Sequence, residues 1–395
     1  MKVLFLTPQL PYPPISGGVI KSYRLVKFLA QDHELAISCF LKGEADQQNL
    51  EAFKSEVGDV PVFSAPLNIA RTPLNFARSC LTGVPLTIYR NKSREFKSHV
   101  NDIAHQFDVI FVDLYLMFQY VPADFKGRVV VHQQNAEFLM WSRMAEQTSN
   151  LLLKTVLAFE ARRIRQYEVS MCAQVDAVLA APNDSQALVD AGAAKHNLVD
   201  TYHLGDEENF DLPAMQFEQT NTAILFVGTL SWEANADGLM WFLEAVWPLI
   251  KAKAPGVTFT VVGKHSKVLG DKLLKLAPDI HLAGFVDDLE SLYHCHRVFV
   301  APLRFGSGIK VKVVNGLYRG IPTVATSVGA EGLDQLVSGE HLFVEDSPSG
   351  FADAVVTLLN EQVIWQQMSE QSRRVMQAHY TWDVVFDFVQ RSLEG

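Results

Sequence analysis

At 395 residues, nearly half of them apolar and with no low-complexity tract, the chain is globular. It is long enough for two cores of about 200 residues each. Its net charge of −10 is uneven: residues 1–200 carry 20 of the 34 basic and 20 of the 44 acidic side chains, leaving 14 and 24 to the second half. A neutral first half and an acidic second half exclude general nucleic-acid binding, which needs a basic field.

The amino terminus, MKVLFLTPQLPYPP, has an apolar run that prolines break too early for a signal sequence. It reads as a first strand, Val3 to Thr7. Further strands are expected at Leu35 to Phe40, Val60 to Phe63, Val109 to Val112, Val129 to His132 and Ala177 to Ala180. Helical patterns fall at Val19 to Ala30, Glu95 to His105 and Asn150 to Cys172. Such alternation predicts a doubly wound parallel sheet. A second alternating set runs through Ala223 to Gly228, Val257 to Gly263, Ile280 to Ala283, Arg297 to Pro302 and Ile321 to Thr326. The joint between the two is placed at Asp206 to Asn221. The final segment, YTWDVVFDFVQRSL, has apolar residues at helical spacing.

Four cysteines, Cys39, Cys80, Cys172 and Cys295, are scattered without metal-like spacing and read as reduced. No stretch reaches the roughly 20 apolar residues of a membrane span; LLLKTVLAF at 151–159 is interrupted by Lys154. The expected location is cytoplasmic, with peripheral contact at the inner face of the plasma membrane as the further option. Arg162, Arg163 and Arg165, with Arg90, Lys92, Arg94 and Lys97, read either as solvated helix faces or as a surface for anionic lipid.

The segment from Ala301 to Leu333, APLRFGSGIKVKVVNGLYRGIPTVATSVGAEGL, carries the clearest chemistry. A buried strand ends, Gly306 and Gly308 let the backbone turn closely under a ligand, and a helix starts near Ile309 or Lys310. Its free N–H groups and positive dipole end suit a phosphate, and Arg304, Lys310 and Lys312 add charge. The alternative is an ordinary crossover with solvated lysines. The spacing is not that of a P-loop, nor is the turn TPQLPYPPISGG after the first strand a dinucleotide fingerprint. Gly17 and Gly18 there either approach a ligand or simply start a helix. After the fifth strand, His132, Gln134, Asn135 and Glu137 cluster at a strand end.

Taken together, these pieces resemble the retaining nucleotide-sugar glycosyltransferases of family 4, the glycosyl transferases of group 1. Within that family they are similar to bacterial transferases that build surface polysaccharides. The resemblance rests on KVLFLTPQLPYPPISGG, QNAEFLMWSR, EARRIRQYE, HLGDEENF, LFVGTLSWEANADGLMWF, VVGK, LAGFVDDLESLY and the segment above. It implies an α/β chain of GT-B architecture: two Rossmann-like, doubly wound parallel-sheet domains facing a cleft, with the C-terminal helix crossing back to the N-terminal domain. The expected limits are 1–205 for an acceptor-side domain, 206–378 for a nucleotide-sugar donor domain and 379–395 for the returning helix.

The resemblance further implies transfer of a sugar from a nucleoside diphosphate to a glycan or lipid-linked acceptor, with retained configuration. It implies no cofactor beyond that co-substrate and no metal. His132, Gln134 and Lys312 are the implied catalytic residues. Implied donor contacts are Gly17, Gly18, Gly228, Thr229, Phe285, Val286, Arg304, Gly306, Ser307, Gly308, Ile309, Lys310, Val311 and Asn315. Three departures stand out. Ser307 and Asn315 occupy positions where the family often has glutamates. Thr229 and Ala234 replace a frequent Arg and Lys, and Gln134 a frequent His. They leave open a non-catalytic partner or regulatory subunit with a degenerate site; a nucleotide-sugar epimerase is the remaining option.

Overall fold

The computed structural model describes residues 1–395 except Ser16, Asn68 and Arg71, and describes Gly17 by its backbone alone. Two compact units emerge: Met1–His203 with Asp383–Gly395, and Leu204–Trp382.

The first unit is a seven-stranded sheet. Its strands are β1 (Lys2–Thr7), β2 (Glu34–Leu41), β3 (Val62–Pro66), β4 (Val109–Asp113), β5 (Arg128–His132), β6 (Ala177–Ala180) and β7 (Leu198–Asp200). They lie in the order β3-β2-β1-β4-β5-β6-β7, every pair parallel. Both faces are covered, so the strands read as continuous apolar runs: Val3, Leu4, Phe5 and Leu6 are all fully buried. On one face Phe40 packs on Phe96 at 4.3 Å between ring centres, beside Ile110, Val112 and Tyr120. Helix α1 (Gly17–Asp32) follows β1, and α2 (Pro73–Leu81) is capped by Thr72, whose hydroxyl accepts the Asn75 N–H at 3.2 Å. Helices α3 (Glu137–Gln147) and α4 (Leu151–Cys172) form a hairpin.

The second unit is a six-stranded sheet of β8 (Asn221–Val227), β9 (Thr258–Val262), β10 (His281–Gly284), β11 (His296–Ala301), β12 (Thr323–Ala325) and β13 (Phe343–Val344). The order is β10-β9-β8-β11-β12-β13, again all parallel. Helix α5 (Glu233–Trp241) follows β8 and α6 (Val311–Arg319) follows β11. The last helix, α7 (Trp382–Glu394), returns the chain to the first unit from Asp383 on. There Phe386 stacks on Phe28 at 4.4 Å, and the Ser392 carbonyl accepts from Arg128 Nε at 2.7 Å.

Several limits differ from the expected ones. β3 starts at Val62, not Val60, because Pro61 lacks an N–H to donate, though its carbonyl accepts from Ile37. The helix expected at Ile309 or Lys310 begins at Val311, with Lys310 still extended at φ −92°, ψ 95°. β7 and β13 were not anticipated; LVD and FV are too short to show a pattern, and their neighbours in the sheet make them strands.

Candidate functional site

In each sheet the strand order reverses once, between β1 and β4 in the first unit and between β8 and β11 in the second. Loops leaving two such neighbouring strands diverge to opposite faces and open a crevice at their carboxyl ends. Each unit gathers polar side chains at that point.

In the second unit, β8 runs into Gly228 and Thr229, and the Gly228 N–H continues the ladder to the Val262 carbonyl at 2.8 Å. A Cβ on Gly228 would stand 3.1 Å from Lys312 Nζ and 2.9 Å from Asn235 Nδ2, so glycine here lets a lysine approach bare backbone. Lys312, on the first turn of α6, donates to Asn235 Oδ1 at 2.5 Å, and Asn235 Nδ2 donates to the Thr229 carbonyl at 2.9 Å. The ammonium also lies 4.8 Å from the centre of the buried Phe226 ring. Burial, and then the charge of Lys310, push the Lys312 pKa down to about 7 from 10.5. Among the described residues no carboxylate pairs with this ammonium. It stands in the first turn of α6, at the positive end of the helix.

The other two cations of this segment are differently employed. Arg304 forms a bidentate pair with Asp237, Nε to Oδ2 at 2.8 Å and Nη2 to Oδ1 at 2.5 Å. Lys310 Nζ donates to the Gly308 carbonyl and lies 3.5 Å from Glu331. The three cations expected to add charge here are thus not equivalent: Arg304 is balanced by Asp237 on α5, and Lys310 by Glu331 near the end of the same segment. Gly306 and Gly308, at φ 129° and 73°, make the turn between β11 and α6, with Ser307 half-buried between them and Ile309 buried. Asn315 accepts the Asp206 N–H at 2.9 Å and presses on Gly205. Phe285 and Val286 follow β10; Phe285 is 61% exposed, with Lys264 Nζ 4.5 Å above its ring.

In the first unit the crossover of β1 and β4 holds Asp113. One carboxylate oxygen accepts from Thr7 at 2.9 Å and Ser22 at 2.6 Å, and the other meets His132 Nδ1 at 2.8 Å. His132 is only 1% exposed, and its ring stacks on that of His203 at 5.6 Å between centres. Burial, then Lys21, lower its pKa to about 4 against the pull of Asp113, so the ring is neutral and Nδ1–H donates. Its Nε2 is buried without a hydrogen-bond partner among the described residues. Lys21, buried and brought down to about 7, donates to the Tyr202 carbonyl at 2.5 Å. Gln134 lies beyond the strand and nearer the surface: its amide donates to Ser22 at 3.2 Å and to Gly18 O and Asp113 at 3.4 Å each. A Cβ on Gly18 would stand 2.4 Å from Gln134 Oε1. Glu168 on α4 fixes this loop by accepting the N–H groups of Glu137 at 3.0 Å and Phe138 at 3.1 Å.

The fold therefore brings Gly18 to Gln134 and His132 behind them, and in the second unit Gly228 and Thr229 to Lys312. Gly17 opens α1. Sequence reading passed over Asp113, Thr7, Ser22, Asn235, Asp237 and Glu168. Asp113 and Thr7 end strands on either side of the reversal, a signal visible only once the strand order is known. Among the described residues no group of three or more His, Cys, Asp or Glu side chains is placed to hold a metal ion.

Comparison with known proteins bears on this arrangement. Residues 221–361 match the family described as Glycosyl transferases group 1. An uncharacterized 44.6 kDa protein of the cps region of Klebsiella pneumoniae is 21% identical over 368 residues, covering 90% of each chain. Among solved structures, Anabaena HepE in complex with UDP and glucose superposes with a TM-score of 0.70 at 15% identity, covering all of both chains. S. aureus TarM in a complex containing UDP gives 0.70 at 9% identity, with the same coverage. Sucrose-phosphate synthase of Thermosynechococcus elongatus gives 0.67 at 14%, covering 99% of this chain and 98% of that one. The chain has the GT-B fold, and with a group 1 transferase match in its second unit it resembles the bacterial sugar transferases of family 4.

Proposed function

We infer that this protein is a retaining glycosyltransferase that moves a sugar from a nucleoside diphosphate to a glycan or lipid-linked acceptor during bacterial polysaccharide synthesis. The observation that carries the reading is Lys312: a cation without a carboxylate partner among the described residues, at the strand reversal and the start of α6, against the bare backbone of Gly228. When a glycosidic bond to a diphosphate breaks, negative charge grows on the leaving group. Fixed N–H donors and a cation stabilise it without reorganising. In this reading Lys312 and the N–H groups of Ile309 to Val311 take the diphosphate, and Phe285 and Val286 meet the base. Ser307 lies by the donor sugar, and no metal is needed. In the first unit the proposed catalytic residues are His132 and Gln134, both bonded to Asp113. The nearness of the cps-region relative supports polysaccharide synthesis as the setting.

A second reading, a non-catalytic partner or regulatory subunit, draws on Asn315, which stands where the family often has a glutamate and whose carbonyl accepts the Asp206 N–H. Calorimetry with a panel of nucleoside diphosphates separates the two, followed by donor hydrolysis and transfer assays. Lys312→Ala is expected to weaken diphosphate binding by about 2 kcal/mol, the size of a charge-assisted hydrogen bond. Lys267→Ala, on an exposed helix position, is expected to leave it unchanged. Equal effects of the two substitutions sink the phosphate-site assignment; binding without turnover favours the partner reading.

A further inference from the structure

Lys312 stands at the strand reversal of the second unit, and one side chain holds it there. Its Nζ donates to Asn235 Oδ1 at 2.5 Å, and among the described residues no other acceptor meets it. An ammonium carries three donors, so this bond uses one of them. The Phe226 ring, its centre 4.8 Å away, offers a π face and no acceptor atom. Asn235 is itself buried, in the first turn of α5, where its backbone N–H donates to the Trp232 carbonyl at 3.0 Å.

The Asn235 amide has one usable orientation. Nδ2 donates to the Thr229 carbonyl at 2.9 Å while Oδ1 accepts from the ammonium. Turning it over would set donor against donor at the lysine and oxygen against oxygen at Thr229. Both head groups lie over the same bare backbone, since a Cβ on Gly228 would stand 2.9 Å from Asn235 Nδ2 and 3.1 Å from Lys312 Nζ. An amide holds the lysine without neutralising it, whereas a carboxylate in the same place would form an ion pair. The acidic side chains beside Asn235 in sequence are placed otherwise: Glu233 is exposed, and Asp237 pairs with Arg304 at 2.5 Å. The charged group that acts on Lys312 is Lys310, of the same sign and itself 3.5 Å from Glu331.

We propose that Asn235 is a positioning residue of the diphosphate site: its amide fixes Lys312 between the β8 turn and the start of α6 and leaves the charge of the lysine to the phosphate. Asn235 acts through Lys312, so this role stands on the diphosphate reading given above. An acid at position 235 would compete with the diphosphate for the same cation.

Full-length protein is titrated by calorimetry with uridine diphosphate and with inorganic pyrophosphate, at about pH 8.5 and in buffers of different ionisation enthalpy. Asn235→Asp is expected to lower affinity roughly tenfold or more and to abolish the proton uptake on binding, because its carboxylate keeps Lys312 protonated in the free protein. Asn235→Ala removes the acceptor without adding charge and is expected to weaken binding by a smaller factor while keeping the uptake. Glu233→Gln removes an exposed charge from the same turn and is expected to change neither quantity. Thermal unfolding verifies that each variant is folded; if Asn235→Asp does not fold, the test passes to Asn235→Ala, whose wild-type affinity overturns the proposal. An asparagine that only packs would leave the uptake of Asn235→Asp as in wild type. That result, or wild-type affinity in both variants, overturns the proposal while the diphosphate reading stands. If the wild-type protein binds neither probe, or binds without uptake, the reading of Lys312 falls and the proposal with it.

Discussion

At the scale of single residues, burial shifts two lysines strongly. Lys312 and Lys21 both titrate near 7, and both are chiefly displaced by desolvation. The unfolded chain, with lysines near 10.5, binds more protons than the folded one between about pH 7 and 10.5. These two groups therefore cost stability most fully below pH 7, and the cost lifts as pH rises through that window. In the proposed diphosphate site the same shift of Lys312 has a measurable consequence. At about pH 8.5 it is largely neutral in the free protein, and a bound diphosphate is expected to restore its proton. Calorimetry in buffers of different ionisation enthalpy is expected to read uptake approaching one proton, lost in Lys312→Ala. Heats independent of the buffer remove Lys312 from the anion site. The strand–glycine–helix setting of this lysine was legible from sequence. Its partner Asn235 was not, lying 77 positions away and recognisable only after β8 and β11 are neighbours.

At the scale of elements, two strand ends of the second unit depend on glycine for close backbone approach. Gly263, at φ 150°, would place a Cβ 1.9 Å from the Gly228 carbonyl oxygen. Gly263→Ala must push the β8 turn away, at a cost of about 2 kcal/mol or more. Since Gly228 also faces Lys312, diphosphate affinity is expected to fall along with the urea midpoint. A variant with a wild-type midpoint and wild-type affinity contradicts this account of the turn. The strands themselves were readable because a sheet covered on both faces demands unbroken apolar runs such as VLFL in β1. β7 and β13 were not, since three and two residues carry no period and are defined by pairing alone.

At the scale of the whole molecule, the chain leaves its first unit at His203 and returns to it at Asp383. Val385, Val389 and Leu393 are buried in that return, and Phe386 stacks on Phe28 from α1. Val389→Asp buries a charge there and is expected to destabilise the first unit by about 3 kcal/mol or more. Hydrogen exchange is expected to show protection falling in residues 1–203 while residues 204–382 keep theirs; uniform loss contradicts the assignment of the last helix. By itself, the sequence determined the alternation of strands and helices, hence two parallel sheets, and marked the glycine turns and Lys312, because local periodicity and backbone freedom are written in neighbouring residues. Only the tertiary structure decided which charges are spent on Asp237 and Glu331, which polar groups surround Asp113, and that Asn315 holds Asp206, because pairing depends on strand order and on contacts that chain distance conceals.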